Sequence, residues 1–187
     1  MKVETIELFG FESAIKALRL PFKGKAKSDT TFIHSNNKNL KITKPHKLYN
    51  EQIEINDIYF GEKDLRLLQN LIKNGDEHAK VIRGINVICS ITAPRYFWSE
   101  MDTYRIGTER LCSESTMHCE CKGFSGEELQ KAKSEIKEGL LQERIQMFSY
   151  QTLRRIYKQR KTHRLPEWKF FCNWIKSLPL SDELITL

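Results

Sequence analysis

Apolar residues follow two spacings along this chain, and each spacing predicts a different kind of element. Apolar and polar residues alternate over residues 2–8, which predicts a strand, because successive side chains of a strand point to opposite faces. Between residues 62 and 74 the apolar positions repeat at helical spacing, and they predict a helix that Gly75 ends. The apolar run over residues 81–91 predicts a buried strand.

Helical spacing dominates the second half of the chain. Ser125 and Glu128 have the spacing of a capping box, which satisfies free N–H groups at a helix start, and we expect their helix to run to about Met147. Another helix is predicted over residues 149–163. Pro166 interrupts that pattern and starts a final helix, because proline is tolerated in the first helical turn.

The first third of the chain mixes both kinds of element. Ser13 is expected to cap a short helix that ends near Leu20. Residues 31–33 and 40–42 flank a polar turn and predict a β-hairpin, and residues 53–60 predict one more strand. Together these elements predict an α+β fold that is mostly helical and has a small antiparallel sheet.

The positive charge is concentrated in one segment. We interpret residues 1–187 as a single domain with a net charge of +7, into which residues 23–60 insert the basic hairpin. The lysines of this segment are Lys23, Lys25, Lys27, Lys38, Lys41, Lys44 and Lys47. The segment has no arginine and few aromatic residues, so nucleic acid is not an expected partner. A solvated hairpin and a hairpin that reaches the ligand pocket of a partner subunit remain the alternatives.

Cysteine usage and hydropathy restrict the class of protein. The five cysteines are an odd number without framework spacing, which indicates reduced thiols and a cytoplasmic protein. Cys112, His118, Cys119 and Cys121 offer zinc-ligand chemistry, but they lack two separated ligand pairs, so no metal is expected. No apolar run is long enough for a membrane span, and no membrane partner is expected.

The densest polar and aromatic chemistry lies between Thr92 and His118. Pro94 is expected to open a helix there, and Gly107 to end it. A loop rich in hydroxyl groups follows, with Thr108, Ser113, Ser115 and Thr116. Hydroxyl groups, loop N–H groups and an arginine together suit an anionic ligand. The alternative is an amphipathic helix with a solvated charged face, followed by an ordinary surface loop.

This stretch, TAPRYFWSEMDTYRIGTERLCSESTMH, resembles the signature region of flavin-dependent thymidylate synthases. That signature is an Ala-Pro strand-to-helix junction followed by Arg-His-Arg-x-x-Ser-x-Asn-x-x-Ser-x-Arg-Tyr. The resemblance covers most of the chain in order, and its other segments are ESAIKALRLPF, LIKNGDEH, INVICSITAP and TLRRIYKQRKTH. It implies a domain of the thymidylate-synthase-complementing type, assembled as a homo-oligomer such as a tetramer. It also implies FAD as cofactor and one-carbon transfer to deoxyuridylate.

The resemblance also implies roles for individual residues. Arg105 matches the last arginine of Arg-His-Arg, which contacts flavin, while Thr103 and Tyr104 replace the other two members. Met117 and His118 replace the final Arg-Tyr pair. The implied nucleotide-binding residues are Glu100, Thr108, Ser113, Ser115, His118 and Arg160, and the implied cofactor-binding residues are Tyr104, Arg105 and Arg160. No catalytic residue is identified.

A second resemblance is closer at the level of strings. TAPRYFWSEMDTYRIGT, SESTMH and LRRIYKQRKTHRLPEWKFFCNWIKSLP are similar to an uncharacterised group of phage and prophage proteins, which would place the chain in the host cytoplasm. Two classes of function follow. One is a flavoenzyme that acts on a pyrimidine nucleotide, and the other is a non-catalytic protein that binds or sequesters a nucleotide on the same scaffold.

Overall fold

The computed structural model describes residues 1–21, 23–33, 48–51 and 56–187. Within those ranges the chain forms seven strands in two antiparallel sheets, and seven α-helices. The strands are β1 (Lys2–Phe9), β2 (Thr31–Ile33), β3 (Leu48–Glu51), β4 (Asn56–Tyr59), β5 (Asn86–Pro94), β6 (Thr108–Ser113) and β7 (Leu141–Ser149). The helices are α1 (Phe11–Leu18), α2 (Glu62–Lys73), α3 (Arg95–Met101), α4 (Gly126–Ser134), α5 (Tyr150–Arg160), α6 (Pro166–Ser177) and α7 (Ser181–Leu184).

The larger sheet has the strand order β1-β5-β7-β6. Its central strand β5 pairs with β7 over its whole length, from Asn86 opposite Ser149 to Pro94 opposite Leu141. Val87 and the alternate residues after it are buried, because that face of the strand points to the core. The sheet therefore supplies one wall of the core and carries β6, with its polar side chains, at one edge.

The core is rich in aromatic side chains from the helices that cover the sheet. The fully buried rings around α3 and α6 are Phe97, Trp98, Phe148, Trp168 and Phe171. The Phe97 and Trp168 ring centroids are 4.7 Å apart, and most of the other ring pairs meet edge to face. Such pairs add to the free energy gained by burial. Trp98 also donates from its ring N–H to the carbonyl oxygen of Gln142, 3.1 Å away, which satisfies its polar atom.

This architecture confirms the predicted α+β class and the small antiparallel sheet. The predicted strand at residues 2–8, the helix over 62–74 and the two last helices are all present. No helix of the described residues is long and apolar enough to cross a membrane.

The predicted helix from Ser125 to Met147 is wrong in its second half. Helix α4 ends at Ser134, and β7 occupies residues 141–149. Two of the positions of β7 that face the core are polar, Arg144 and Gln146, so the alternation of a strand is hidden in the sequence. Ser125 stands at the N-cap position, but its side chain makes no capping hydrogen bond.

Other boundaries also differ from the sequence-based expectation. Gly10, rather than Ser13, is the N-cap of α1. Helix α3 begins after Pro94 and ends at Met101, five residues before the predicted end, and the first part of the expected hydroxyl loop is strand β6. The expected strand over 81–91 begins at Asn86, after a 3₁₀ turn.

The inserted segment falls partly outside the described residues. The predicted turn at 35–39 and strand at 40–42 lie outside the described ranges. Within those ranges β2 pairs with β4, with Thr31 opposite Tyr59, and β4 also pairs with β3, which gives the second sheet the order β2-β4-β3.

Candidate functional site

Two clefts share a wall formed by Tyr104 and Arg105, in the turn between α3 and β6. Cleft 1 has a volume of about 340 Å³ and is lined by Met101, Asp102, Tyr104, Arg105, Thr108, Arg110 and Gln146. Cleft 2 has a volume of about 440 Å³ and is lined by Thr103, Tyr104, Arg105, Ile106, Arg155 and Gln159. The signature turn, the edge of the sheet and α5 therefore meet around one pair of side chains.

The turn is pinned against the start of α5. Gly107 has a φ of 74°, a left-handed conformation that favours glycine, and a Cβ there would lie 2.4 Å from the Thr152 hydroxyl oxygen. That hydroxyl donates to the carbonyl oxygen of Ile106 at 2.7 Å, and the Ser149 N–H donates to the carbonyl oxygen of Gly107 at 2.9 Å. These contacts set where the chain leaves the turn and where Arg105 emerges.

Arginines give the clefts an excess of positive charge. Arg105 and Arg110 are exposed, and neither forms an ion pair or side-chain hydrogen bond with any residue that the structure describes. Among the described residues, Asp102 is the only carboxylate that lines either cleft, and Arg144 neutralises it, with Nη1 2.8 Å from Oδ1 of Asp102. Two unpaired cations beside one neutralised acid favour an anionic ligand.

Buried polar atoms without a partner are concentrated at the clefts. Among the described residues, seven buried side-chain atoms have no hydrogen-bond partner, and four of these belong to this region: Thr108 Oγ1, Arg144 Nε, Gln146 Oε1 and Arg155 Nε. An unsatisfied buried polar group costs about 1–3 kcal/mol. Gln146 is only 2% exposed, yet it lines cleft 1. Such groups are explained most simply by a ligand or ordered water that occupies the cleft.

A separate ionic cluster lies behind Tyr104. Arg160 donates from Nη1 to Glu100 Oε2 at 2.7 Å and from Nε to the Tyr104 hydroxyl at 2.8 Å, and its guanidinium carbon lies 4.5 Å from the ring centroid of Trp168. The Tyr104 hydroxyl in turn donates to Gln159 Oε1 at 2.9 Å. This cluster holds the Tyr104 side chain between α3 and α5, and it engages both Glu100 and Arg160.

The structure brings only some of the predicted site residues together. Tyr104, Arg105 and Thr108 line cleft 1, and Glu100 and Arg160 contact each other behind it. The remaining three lie apart from both clefts: Ser113 lines a third cleft beside Glu143, and Ser115 Oγ lies 3.0 Å from His118 Nδ1 in the loop after β6.

Sequence analysis assigned no role to Arg110 or Gln146, which line cleft 1, or to Arg144, which pairs with the cleft residue Asp102. In the structure Arg144 and Gln146 alternate with exposed or half-buried residues along Leu141–Ser149, but the sequence hides this period of two because the two core-facing residues are polar. Arg144 lies 4.3 Å from the ring centroid of Trp98, which explains how an arginine is accommodated on the core side of a strand.

The cysteines do not form a metal site in this arrangement. All five are free, and no group of three or more His, Cys, Asp or Glu residues within the described part of the chain could hold a metal ion. Burial raises the pKa of the Cys89 thiol, and it raises the pKa of Cys172 to about 11 although Lys176 opposes the shift. Both thiols are therefore protonated and unreactive at neutral pH.

Comparisons with known proteins show the fold. No family model matches the chain, and no curated protein matches it by sequence. Two crystal structures of the flavin-dependent thymidylate synthase ThyX from Helicobacter pylori, each with FAD and dUMP, superpose with TM-scores of 0.70 and 0.69 at 14% and 13% identity. Each match covers 100% of this chain and 98% of the other. The UMP/dUMP methylase PolB from Streptomyces cacaoi, bound with 5-Br dUMP, superposes with a TM-score of 0.63 at 13% identity, over 99% of this chain and 94% of the other. The chain has a ThyX-like fold.

Proposed function

We propose that this protein binds a pyrimidine nucleotide, such as deoxyuridylate, in clefts 1 and 2. The observation that carries the proposal is the coincidence of unpaired cations with unpaired buried polar atoms around Tyr104 and Arg105. A nucleotide supplies both of the missing partners, because its phosphate is anionic and its base carries carbonyl and N–H groups. The three superposed structures are complexes with dUMP or 5-Br dUMP, which supports this class of ligand.

The phosphate and the base of the nucleotide are expected to contact different residues. Arg105 and Arg110 would hold the phosphate, since guanidinium groups bind phosphate through paired hydrogen bonds. Thr108 and Gln146 would meet the polar edge of the base, because a hydroxyl and an amide can each pair with carbonyl and N–H groups.

The cluster around Tyr104 favours a protein that binds the nucleotide without catalysing a reaction. The Tyr104 hydroxyl donates its only proton to Gln159 and accepts a hydrogen bond from Arg160, so in this arrangement it is engaged in contacts within the chain. Arg160 is held by Glu100. One-carbon transfer to deoxyuridylate remains the second candidate, and the FAD in the ThyX complexes is the observation in its favour.

The residues of cleft 2 fit part of a flavin dinucleotide. Arg105 and Arg155 could hold its diphosphate, and Ile106 with Tyr104 offers apolar surface to a ring system. A bound flavin would supply reducing equivalents for a methylated product. An absorption spectrum of the freshly purified protein distinguishes the two candidates, because oxidised flavin is yellow and a non-catalytic binder would be colourless.

We also propose that the protein is a homo-oligomer whose neighbouring copy covers residues 114–140, the connection between β6 and β7. This segment buries a single side chain, Cys121, and leaves Met117 and Phe124 about half exposed. Helix α4 within it has no buried residue, although helices this short depend on packing for their stability. Ser115 and His118 on the segment would then approach a cleft of the neighbouring copy.

Light scattering tests this assembly. We expect a mass that is a multiple of 22.0 kDa at micromolar concentration. Replacing Met117 and Phe124 by serine should shift the mass toward that of one chain, because the proposed contact is apolar. A parent protein that remains a monomer at this concentration would remove the interface and the roles of Ser115 and His118.

Gln146→Met tests the nucleotide site. Methionine has nearly the same shape but no unpaired carbonyl, so we expect the variant to be more stable than the parent by about 1 kcal/mol in urea unfolding. Its affinity for dUMP in calorimetry should fall by about tenfold, which corresponds to about 1.4 kcal/mol of lost binding. Improved stability together with weaker binding is the signature of a group that is reserved for a ligand.

Gln69→Met is the matched control, because Gln69 is half-buried on α2 and lines neither cleft. We expect both of its measurements to equal those of the parent. A parent that binds neither UMP nor dUMP would reject the proposed function, whereas unchanged dUMP affinity in Gln146→Met would reject only the role of cleft 1.

A further inference from the structure

The helical hairpin α5–α6 carries a positively charged surface that the proposed nucleotide site does not use. We call it the basic ridge, and its residues are Lys158, Lys161, Arg164, Lys169 and Lys176. All five side chains are exposed, and none forms an ion pair with a residue in the described ranges. Between residues 150 and 178 the sequence has one acid, Glu167, which accepts a hydrogen bond from the Tyr96 hydroxyl.

Contacts to Tyr157 place cations from both helices on the same surface. Lys161 Nζ lies 6.0 Å from the centroid of this ring, and Lys176 Nζ lies 5.9 Å from it. Lys169 and Lys176 are seven residues apart on α6, so they share a helix face about 10 Å from each other along the axis. The ridge is therefore a row of separated positive charges rather than a single anion pocket.

An exposed aromatic ring accompanies these charges. Phe170 is 47% exposed and directly follows Lys169. Consecutive residues of a helix point about 100° apart, so Phe170 lies beside the row of charges rather than within it, and it offers a stacking surface that only an unpaired base can use. Charge and aromatic surface together match the way in which proteins bind single strands without reading their sequence.

We infer that the basic ridge binds the phosphate backbone of single-stranded nucleic acid. The inference is independent of the proposed nucleotide site, because none of the ridge residues lines cleft 1 or cleft 2. It also concerns a different surface from the lysine-rich insertion, for which the sequence did not predict nucleic acid. The unpaired state of the cations, which only the structure shows, changes that expectation for α5 and α6.

The test is the salt dependence of binding to a labelled single strand of about 20 nucleotides, followed by fluorescence anisotropy with the full chain. Log affinity should fall linearly with log salt, with a slope of about −0.7 for each phosphate that is neutralised. Replacing Lys158, Lys161 and Lys176 together by glutamine should make the slope shallower by about 2 and weaken binding at least tenfold at low salt. Phe170→Ala should weaken binding to the single strand but not to a duplex.

The control replaces three exposed lysines outside the ridge by glutamine: Lys63, Lys73 and Lys80. This control removes the same charge as the ridge variant. Equal losses of affinity in the two triple variants would show that binding depends on net charge, and would overturn the role of the basic ridge. Failure of the parent to bind the strand at about 50 mM salt would overturn the inference outright. Equal loss for duplex and single strand in Phe170→Ala would overturn the stacking role and with it the preference for single strands.

Discussion

Arg105→Ala should lose most of its affinity for deoxyuridylate while keeping its fold. Arg105 is exposed, lines both clefts and has no partner among the described residues, so its removal leaves no buried charge behind. A hydrogen bond to a charged group contributes about 1.5–3 kcal/mol, which corresponds to a loss of about 10-fold to 150-fold in affinity. Calorimetry with dUMP measures the loss, and urea unfolding should give the stability of the parent.

Two further variants make this result interpretable. Arg105→Lys keeps the charge but not the planar fork of donors, so we expect an affinity between those of the parent and the alanine variant. Arg66→Ala is the control, because Arg66 is exposed on α2, pairs with Glu62 at 2.8 Å and lies outside both clefts. If Arg105→Ala binds dUMP as tightly as Arg66→Ala does, the phosphate is held elsewhere.

Much of the fold could be predicted from periodicity, because burial and spacing agreed in those segments. Helix α2 has apolar residues at helical spacing, and Leu68 and Ile72 are indeed buried. Strand β5 is an apolar run, and it lies between two other strands at the centre of the sheet. Apart from Asp64 on α2, the buried side chains of both elements are apolar, which is the condition that a prediction from periodicity assumes.

Strand β7 does not meet this condition, because its core-facing residues Arg144 and Gln146 are polar, and Gln146 lines cleft 1. Arg144 is accepted on the core side because Asp102 neutralises it and Trp98 stacks against it. Gln146 is accepted there with its Oε1 unpaired. Trp98 lies on α3 and Asp102 is the C-cap of that helix, more than forty residues before Arg144, so a local pattern could not reveal these partners. Predictions from local sequence patterns are expected to fail at binding sites, because polar groups are kept there for a ligand at a cost in the stability of the fold.

The arginines of the site show the same limit. The family resemblance implied ligand contacts for Arg105 and Arg160 alike, but in the structure their surroundings differ. Arg160 is committed to Glu100, sixty residues away, and to the Tyr104 hydroxyl, whereas Arg105 is unpaired among the described residues. Arg160 is paired because α5 packs against the end of α3, and the spacing of residues within either segment does not predict this contact.

A different buried charge supports the fold at a distance from the clefts. Asp64 on α2 is fully buried, and its carboxylate accepts hydrogen bonds from Arg19 Nε at 2.6 Å, from the Ser28 hydroxyl at 2.5 Å and from the Thr30 hydroxyl at 2.7 Å. It thereby joins α1, the segment before β2 and α2. Burial alone would raise the pKa of Asp64, but the hydrogen bonds from Ser28, Thr30 and Arg19 outweigh it and hold the pKa below its ordinary value.

Asp64→Ala should therefore destabilise the protein by about 3–5 kcal/mol at pH 7 in urea unfolding, because it leaves the mostly buried Arg19 without its counter-charge. Since the folded pKa is lowered, the contribution of Asp64 is complete above the unfolded pKa of about 3.9 and is lost as pH falls through the folded value. Asp64→Asn should lose stability at pH 7 and show a shallower decline below about pH 4 than the parent. Glu4→Gln, which breaks the exposed pair with Lys2, should change stability by less than about 1 kcal/mol. An alanine variant as stable as Glu4→Gln would show that the Asp64 hydrogen bonds only offset the cost of burying the charge.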